Sequence, residues 1–256
     1  MIPHRIAEHV KAHNWFAVAI DFVIVVLGVF VGIQVSNWNA ARVENAQEKL
    51  MLSQLRDEIL VNDAYIEAQS VYLRGGIDGG VRALAFLEND APCAPKCADL
   101  LVDFFHASQL WGTDYQTAVF QENERRGFPS DPETRAVVRR FYQSLTGWSV
   151  VNLTPPPYRE RVRGHFSPAA SAALWDRCFD VDRGKLVEAL SRDCVGDLDT
   201  VESARILEAI RADEGIADAL RFWTGQNIFA LQENPRLRAD AAGAIEAIAK
   251  AVGKGR

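Results

Sequence analysis

The chain lacks the short motifs that mark many catalytic and nucleotide-binding sites. It has no G-x-S-x-G turn, no H-E-x-x-H, no glycine-rich phosphate loop and no G-x-G-x-x-G. His106 and His165 have no catalytic partner beside them in the sequence. We therefore expect neither an enzyme nor a bound cofactor. Because residues far apart in sequence can converge on one site, an enzyme stays open as the less favoured alternative.

Metal-binding patterns are also missing. His4, His9 and His13 lie near the N-terminus, and His9 and His13 are one helical turn apart, but no third and fourth ligand accompanies them. The cysteine spacings C-x3-C and C-x15-C do not form the usual pair of zinc knuckles, and there is no C-x-x-C or C-x-x-C-H. We expect no metal site.

Basic charge is scarce, since the net charge is −6. In the first 36 residues Arg5 and Lys11 balance Glu8 and Asp21, so residues 37–256 carry the whole excess of negative charge. Proteins that bind nucleic acid need a basic surface for the phosphates. The composition therefore argues against nucleic acid as a partner.

Cysteines are few but even in number, as expected of a protein exposed to an oxidising compartment. Four cysteines allow three pairings, and the spacing favours Cys93 with Cys97 and Cys178 with Cys194. The second bridge would close a loop of 15 intervening residues, for about 3 kcal/mol on the chain-entropy model.

One long apolar run is present, from Trp15 to Ser36. Its 22 residues reach about 33 Å as a helix, enough to cross a hydrocarbon core of about 30 Å. A cleaved signal peptide and a buried core helix are the alternatives. The run is longer than a signal h-region, and Trp38 with its asparagine neighbours replaces the small residues of a cleavage site. We expect a retained transmembrane helix at residues 15–36.

The charges flanking this run predict its orientation. Arg5, Lys11 and the terminal amine precede it, whereas Arg42 and Lys49 follow it among glutamates. The positive-inside rule then places residues 1–14 in the cytoplasm as a short arm. With no second apolar run downstream, residues 37–256 would form one periplasmic domain of a bacterial inner-membrane protein.

The anchor resembles that of an uncharacterised family of bacterial single-pass membrane proteins. Its pattern has an acidic residue seven before a glycine, then a glutamine and a closing Asn-Trp-Asn. The matching residues here are Asp21, Gly28, Gln34, Asn37, Trp38 and Asn39. Gly32 and Ser36 depart from the usual alanine and asparagine, and the likeness covers about 20 residues. The resemblance implies a membrane-anchored protein and no particular activity.

Small residues recur along the anchor. Gly28, Gly32, Ser36 and Ala40 follow one another every four residues, and Asp21 lies on nearly the same helix face. Such a ladder allows two helix backbones to approach closely, so we expect self-association. The alternative is chance, because glycine is common in membrane helices.

Beyond the anchor the pattern is helical throughout and predicts an all-α domain. Leu52, Leu55, Ile59, Ile66 and Leu73 predict that the first helix continues to Gly75-Gly76. Further helices are expected at 81–88, 98–111, from 132, from 168, at 184–192, from 200, at 216–231 and at 239–252. The last is expected to pack back along the first.

Pro155-Pro156-Pro157 gives a possible internal break near 154–157.

Arginine is concentrated between Gln121 and His165, a segment that contains eight arginines and five acidic residues. Arginine forks suit carboxylate and phosphate, so this segment is a candidate anion site, although ordinary surface ion pairs are the favoured alternative. Seven of the eight, all except Arg135, are the candidates: Arg125, Arg126, Arg139, Arg140, Arg159, Arg161 and Arg163.

Two functions follow from these features. The first is a membrane-anchored periplasmic scaffold that binds an unknown periplasmic protein, which the lack of catalytic motifs favours. The second is a ligand-binding or sensory module that recognises an anionic ligand through the arginine-rich segment.

Overall fold

The structure is a computed structural model that describes residues 15–89, 91–110, 115–152, 155–182 and 187–254. It is an all-α fold with one short hairpin, so the predicted class is confirmed. The chain divides after Met51 into two compact units. The arm at 1–14, with His4, His9 and His13, lies outside the described residues.

Eight helices, one 3₁₀ turn and two strands make up the described chain. In order they are α1 (Trp15–Leu87), α2 (Cys97–Ala107), α3 (Ala118–Arg126), α4 (Pro132–Asn152), α5 (Pro157–Gly164), α6 (Pro168–Arg177), β1 (Phe179–Asp182), β2 (Val187–Leu190), the 3₁₀ turn Val195–Asp197, α7 (Thr200–Arg211) and α8 (Ile216–Lys254).

The first helix does not end at Gly75-Gly76, so that prediction is wrong, and the expected helix at 81–88 is part of α1. Two further glycines of α1, Gly79 and Gly80, lie where neighbouring helices approach closely. A Cβ at Gly79 would lie 2.8 Å from the backbone oxygen of Asp103 in α2. At Gly80 it would lie 2.5 Å from the hydroxyl of Thr224 in α8.

The expected helix at 184–192 is also wrong. Strand β2 pairs antiparallel with β1, and Phe179 lies opposite Leu190. The disulfide Cys178–Cys194 joins the residues just outside this hairpin. Two four-residue strands are too short to show a clear alternation in the sequence, and the bridge holds their ends together.

Other element boundaries follow the sequence signals. Asp131 accepts a hydrogen bond from the Thr134 amide at 2.8 Å at the start of α4. Ser167 and Asp199 cap α6 and α7 in the same way. The chain leaves α4 at Asn152 and enters α5 at Pro157, on either side of the proline run. One boundary differs: the helices expected at 216–231 and at 239–252 are a single helix, α8, which continues through Pro235, so their separation was predicted wrongly.

Helix α8 packs antiparallel to the part of α1 from Leu52 onward. Arg221 in α8 pairs with Glu88 just after α1, whereas Arg238 pairs with Asp63 at 2.9 Å. One apolar core lies among α1, α4 and α8, and a second among α2, α5, α6, α7, α8 and the end of α1.

The unit of residues 15–51 is a single helical segment. The helix is long and apolar enough to cross a membrane, and none of its 18-residue apolar window is buried. The Cβ positions of Gly28 and Gly32 meet nothing within 4 Å, and Gly28, Gly32, Ser36 and Ala40 share one helix face with Asp21 nearby.

Candidate functional site

Four of the candidate arginines lie on α3 and α4, and three of these form surface ion pairs. Arg125 and Arg126 both pair with Glu122, the Arg126–Glu122 distance being 2.6 Å. Arg139 in α4 pairs with Glu124 in α3, also at 2.6 Å. Two carboxylates thus pair with three arginines, so most of this positive charge, though not all of it, is neutralised at the surface.

Arg161 on α5 is neutralised as well. It pairs with Asp213, which also accepts a hydrogen bond from His165 at 3.0 Å. The hydrogen bonds from His165 and Arg161 lower the pKa of the Asp213 carboxyl. Arg140, the remaining candidate on α4, is exposed.

Arg159 and Arg163 differ from the other arginines of the segment. They lie one turn apart on α5 and both contact Ser108, the residue that ends α2. Arg159 Nη1 donates to the Ser108 carbonyl at 2.6 Å, and Arg163 Nε donates to the Ser108 hydroxyl at 2.9 Å. Both arginines are half-buried.

Neither of these two arginines forms an ion pair within the described part of the chain. The guanidinium of Arg163 lies 5.3 Å from the ring centroid of Phe105 and 4.8 Å from that of Trp175. Burial, followed by repulsion from Arg159, lowers the pKa of Arg163 to about 10. Burial also lowers the pKa of Arg159, and the negative charge of Glu188 partly opposes this shift.

The structure therefore does not gather the seven candidate arginines into one site. It joins Arg159 with Arg163, and it places Arg125, Arg126 and Arg139 in surface pairs on α3 and α4. Asp213, which pairs with Arg161, and Ser108, which contacts Arg159 and Arg163, both lie outside the segment in sequence.

Sequence reasoning missed two buried carboxylates. Asp103 in α2 is 1% exposed and accepts hydrogen bonds from both Arg82 and Arg192. The Arg82 Nη2–Asp103 Oδ1 distance is 2.7 Å, and the Arg192 Nη2–Asp103 Oδ2 distance is 3.0 Å. One carboxylate thus ties α1, α2 and the segment after β2 together.

Glu58 in α1 is the second buried carboxylate. It accepts hydrogen bonds from the amides of Val119 and Phe120 at 2.7 and 3.0 Å, so it caps α3 from another helix. The Tyr142 hydroxyl donates to Glu58 at 2.6 Å. Asn62, one turn later, exchanges two hydrogen bonds with the backbone of Gln116. No local sequence pattern signals these contacts, because the partners are more than 50 residues apart.

A cleft of about 430 Å³ opens between α3 and α4. The rings of Phe120 and Tyr142 stack at 4.0 Å on its floor. Polar residues complete its lining: Thr117, Gln121, Glu124, Arg139, Gln143 and Thr146, with Gly147. A second cavity, beside His106 and Trp223, measures only about 10 Å³ and has no room for an organic ligand.

No group of three or more His, Cys, Asp or Glu that could hold a metal ion occurs among the described residues. The four cysteines instead form the two disulfides Cys93–Cys97 and Cys178–Cys194, the pairing that the spacing favours. His106 Nε2 lies 3.1 Å from the Cys178 carbonyl oxygen, to which it donates.

These observations define an all-α, disulfide-braced domain attached to an apolar helix able to span a membrane. Comparison of the chain with protein-family models, curated proteins and solved structures finds no match.

Proposed function

We propose that this chain is a single-pass protein of the bacterial inner membrane, with a cytoplasmic N-terminus and a periplasmic domain that binds another periplasmic protein. Two features support the compartment. The apolar part of α1 is exposed along its whole length, and a lipid bilayer would cover it. The two disulfides fit an oxidising compartment.

The observation that carries the interaction role is how the buried charges are used. Asp103 bonds Arg82 and Arg192, and Glu58 caps α3, so both buried carboxylates hold helices together. A catalytic acid or base needs access to a substrate proton. Carboxylates committed in this way support a scaffold better than an enzyme.

Photocrosslinking in native membranes tests the interaction role. A photoreactive residue at Val201, which is 80% exposed, should yield one protein adduct that increases to a plateau with exposure to light. The same residue at Leu207, which is buried on the same helix, should yield none. Adducts with lipid alone, from Val201 and also from the exposed Phe222, would contradict a protein partner.

A second candidate function is recognition of an anionic ligand. The observation that favours it is the pair Arg159 and Arg163, whose charges have no ion-pair partner in the described chain. An anion that binds only the folded protein raises its melting temperature. Phosphate should therefore raise Tm more than chloride at equal ionic strength, and equal Tm values would contradict this function.

We also propose that α1 self-associates in the membrane. The face that carries Gly28, Gly32, Ser36 and Ala40 is uncovered within the described chain, and small residues there allow a second helix to pack closely. Asp21 would face the partner helix and be less exposed to lipid.

A further inference from the structure

We propose that Arg159 and Arg163 together bind one oxyanion of the phosphate class. The proposal rests on the second candidate function above and gives it a location and a ligand chemistry. Its basis is two adjacent guanidinium groups that are held in place, share one anchor residue and retain unused donors.

The helix fixes where these side chains start. Tyr158 directly precedes Arg159 on α5, and Val162 directly precedes Arg163. Both Tyr158 and Val162 are fully buried in the second core. The Tyr158 hydroxyl also donates to the Phe104 carbonyl of α2 at 3.3 Å. Helix α5 is therefore locked against α2, and the two arginines extend from a rigid base.

Their outer ends are fixed as well. Arg159 uses Nη1, and Arg163 uses Nε and Nη2, to hold Ser108. The aromatic rings of Phe105 and Trp175 lie beside the Arg163 guanidinium. Such preorganised side chains lose little conformational entropy when a ligand binds.

Donors remain on both groups. Within the described chain, Nε and Nη2 of Arg159 and Nη1 of Arg163 have no acceptor, and none of these nitrogens is fully buried. Because Arg159 and Arg163 share the anchor Ser108, these unused donors lie on neighbouring groups. One ligand can therefore reach both.

The charge around the pair is positive. The carboxyl end of α2, which both arginines touch, supplies only about half an elementary negative charge against two positive ones. Glu188 attracts Arg159, but it forms no ion pair with it and hydrogen-bonds Tyr72 instead. A positive charge that is half-buried and unneutralised favours an anionic partner.

Oxygen number selects the ligand class. One guanidinium fork satisfies both oxygens of a carboxylate, so a second arginine would add little. A phosphate group presents three or four oxygens, so it can accept from Nε and Nη2 of Arg159 and from Nη1 of Arg163 at once. The same chemistry occurs in free phosphate esters and in phospholipid headgroups.

The test uses the full chain in a nonionic detergent, with inorganic phosphate as the probe at constant ionic strength. Trp175 reports on the site because its ring lies 4.8 Å from the Arg163 guanidinium carbon. We expect a saturable change in tryptophan emission that Trp175→Phe removes. The phosphate-induced rise in Tm of the wild type is the second, independent readout.

Substitutions locate the site. Arg159→Gln and Arg163→Gln should each weaken phosphate binding by about tenfold or more, since each removes charge-assisted hydrogen bonds. Arg140→Gln is the matched control, an exposed arginine of the same segment, and should bind as the wild type does. Glu188→Gln should tighten binding because it removes a competing negative charge.

Two further arms complete the design. Arg159→Lys and Arg163→Lys keep the charge needed at the end of α2 but lose the fork, so they should stay folded and still bind more weakly. Glycerol phosphate in detergent, compared with phosphatidylglycerol in nanodiscs, separates a free phosphate ester from a lipid headgroup as the source.

The outcomes separate the site from the function. If phosphate stabilises the wild type, and both glutamine and both lysine variants bind it equally well, the assigned site is wrong while anion recognition stands. If no phosphate compound changes Tm or emission, both proposals fail. Weakened binding in the variants of residues 159 and 163, with Arg140→Gln unchanged, supports the site.

Discussion

At the scale of single residues, this domain uses its buried charges to join helices. Asp103 is enclosed by Arg82 and Arg192, and Glu58 by two backbone amides and Tyr142. Their partners come from distant parts of the chain. A carboxylate inside an apolar helix such as α2 therefore looks anomalous in the sequence until the tertiary contacts are known.

Replacing Asp103 tests this role. Asp103→Asn should lower the free energy of unfolding by about 2–4 kcal/mol, because it removes charged hydrogen bonds from a buried group and leaves two arginines unpaired. Urea unfolding of the full chain in detergent measures it. The control Asp218→Asn, whose side chain is 84% exposed in its pair with Arg221, should cost under about 0.5 kcal/mol. Equal losses would show that burial of Asp103 is unimportant.

His106 predicts a pH dependence of stability. Burial lowers its pKa in the folded state, whereas the unfolded chain titrates near the usual value of about 6.5. The unfolded state then binds the proton more readily, so this contribution to stability is full above about pH 6.5 and declines as the pH falls toward the lower folded-state pKa. Urea unfolding at pH values between about 7.5 and 5.5 should show this decline. His106→Gln should flatten it, and an unchanged slope would contradict the assignment.

At the scale of elements, local signals located helix starts well. Asp131, Ser167 and Asp199 each accept an amide hydrogen bond where a helix begins. The sequence failed at Gly75-Gly76, because a glycine pair signals a helix end and a close helix contact alike. It also failed at β1 and β2, where the disulfide and pairing over four residues decide the structure.

Two glycines give opposite expectations. In Gly79→Ala the new Cβ would lie 2.8 Å from the Asp103 carbonyl oxygen, so α1 and α2 must separate, at a cost of about 1–3 kcal/mol. Gly225→Ala meets nothing within 4 Å on α8 and should stabilise by about 0.5–1 kcal/mol through helix propensity. Thermal unfolding of both variants measures the contrast. A stabilised Gly79→Ala would show that the helices do not pack this closely.

The ladder on α1 predicts which changes disrupt self-association. Gly28→Leu and Gly32→Leu place bulk on the face of small residues and should abolish the signal of a two-hybrid assay of the isolated span. Val29→Leu changes a neighbouring face and should keep the signal. If all three variants behave alike, the ladder does not drive association.

At the scale of the whole molecule, the sequence predicted the fold class and an apolar helix long enough to span a membrane, and it directed attention to the arginine-rich segment. It did not indicate which arginines keep an unneutralised charge. That depends on Asp213 pairing with Arg161 and on Ser108 lying between Arg159 and Arg163. Such pairings arise only when α2, α5 and the α7–α8 connection pack together.

Topology gives the broadest prediction. Reporter fusions should show residue 1 in the cytoplasm and residue 256 exported, because basic residues precede the span. An alkaline phosphatase fusion after Arg256 should be active, and a fluorescent protein that folds only in the cytoplasm should be dark there. The reverse pattern would overturn the proposed compartment and the reason given for the disulfides.

The return of α8 along α1 has a mechanical consequence. Ile248 packs in the same core as Leu52 and Leu55, so the two ends of the unit Leu52–Lys254 leave the helix pair side by side. A pulling force between residue 52 and the C-terminus would peel these helices apart turn by turn instead of sliding one past the other. The contact of Glu88 with Arg221, at the opposite end of the pair, would bear load last.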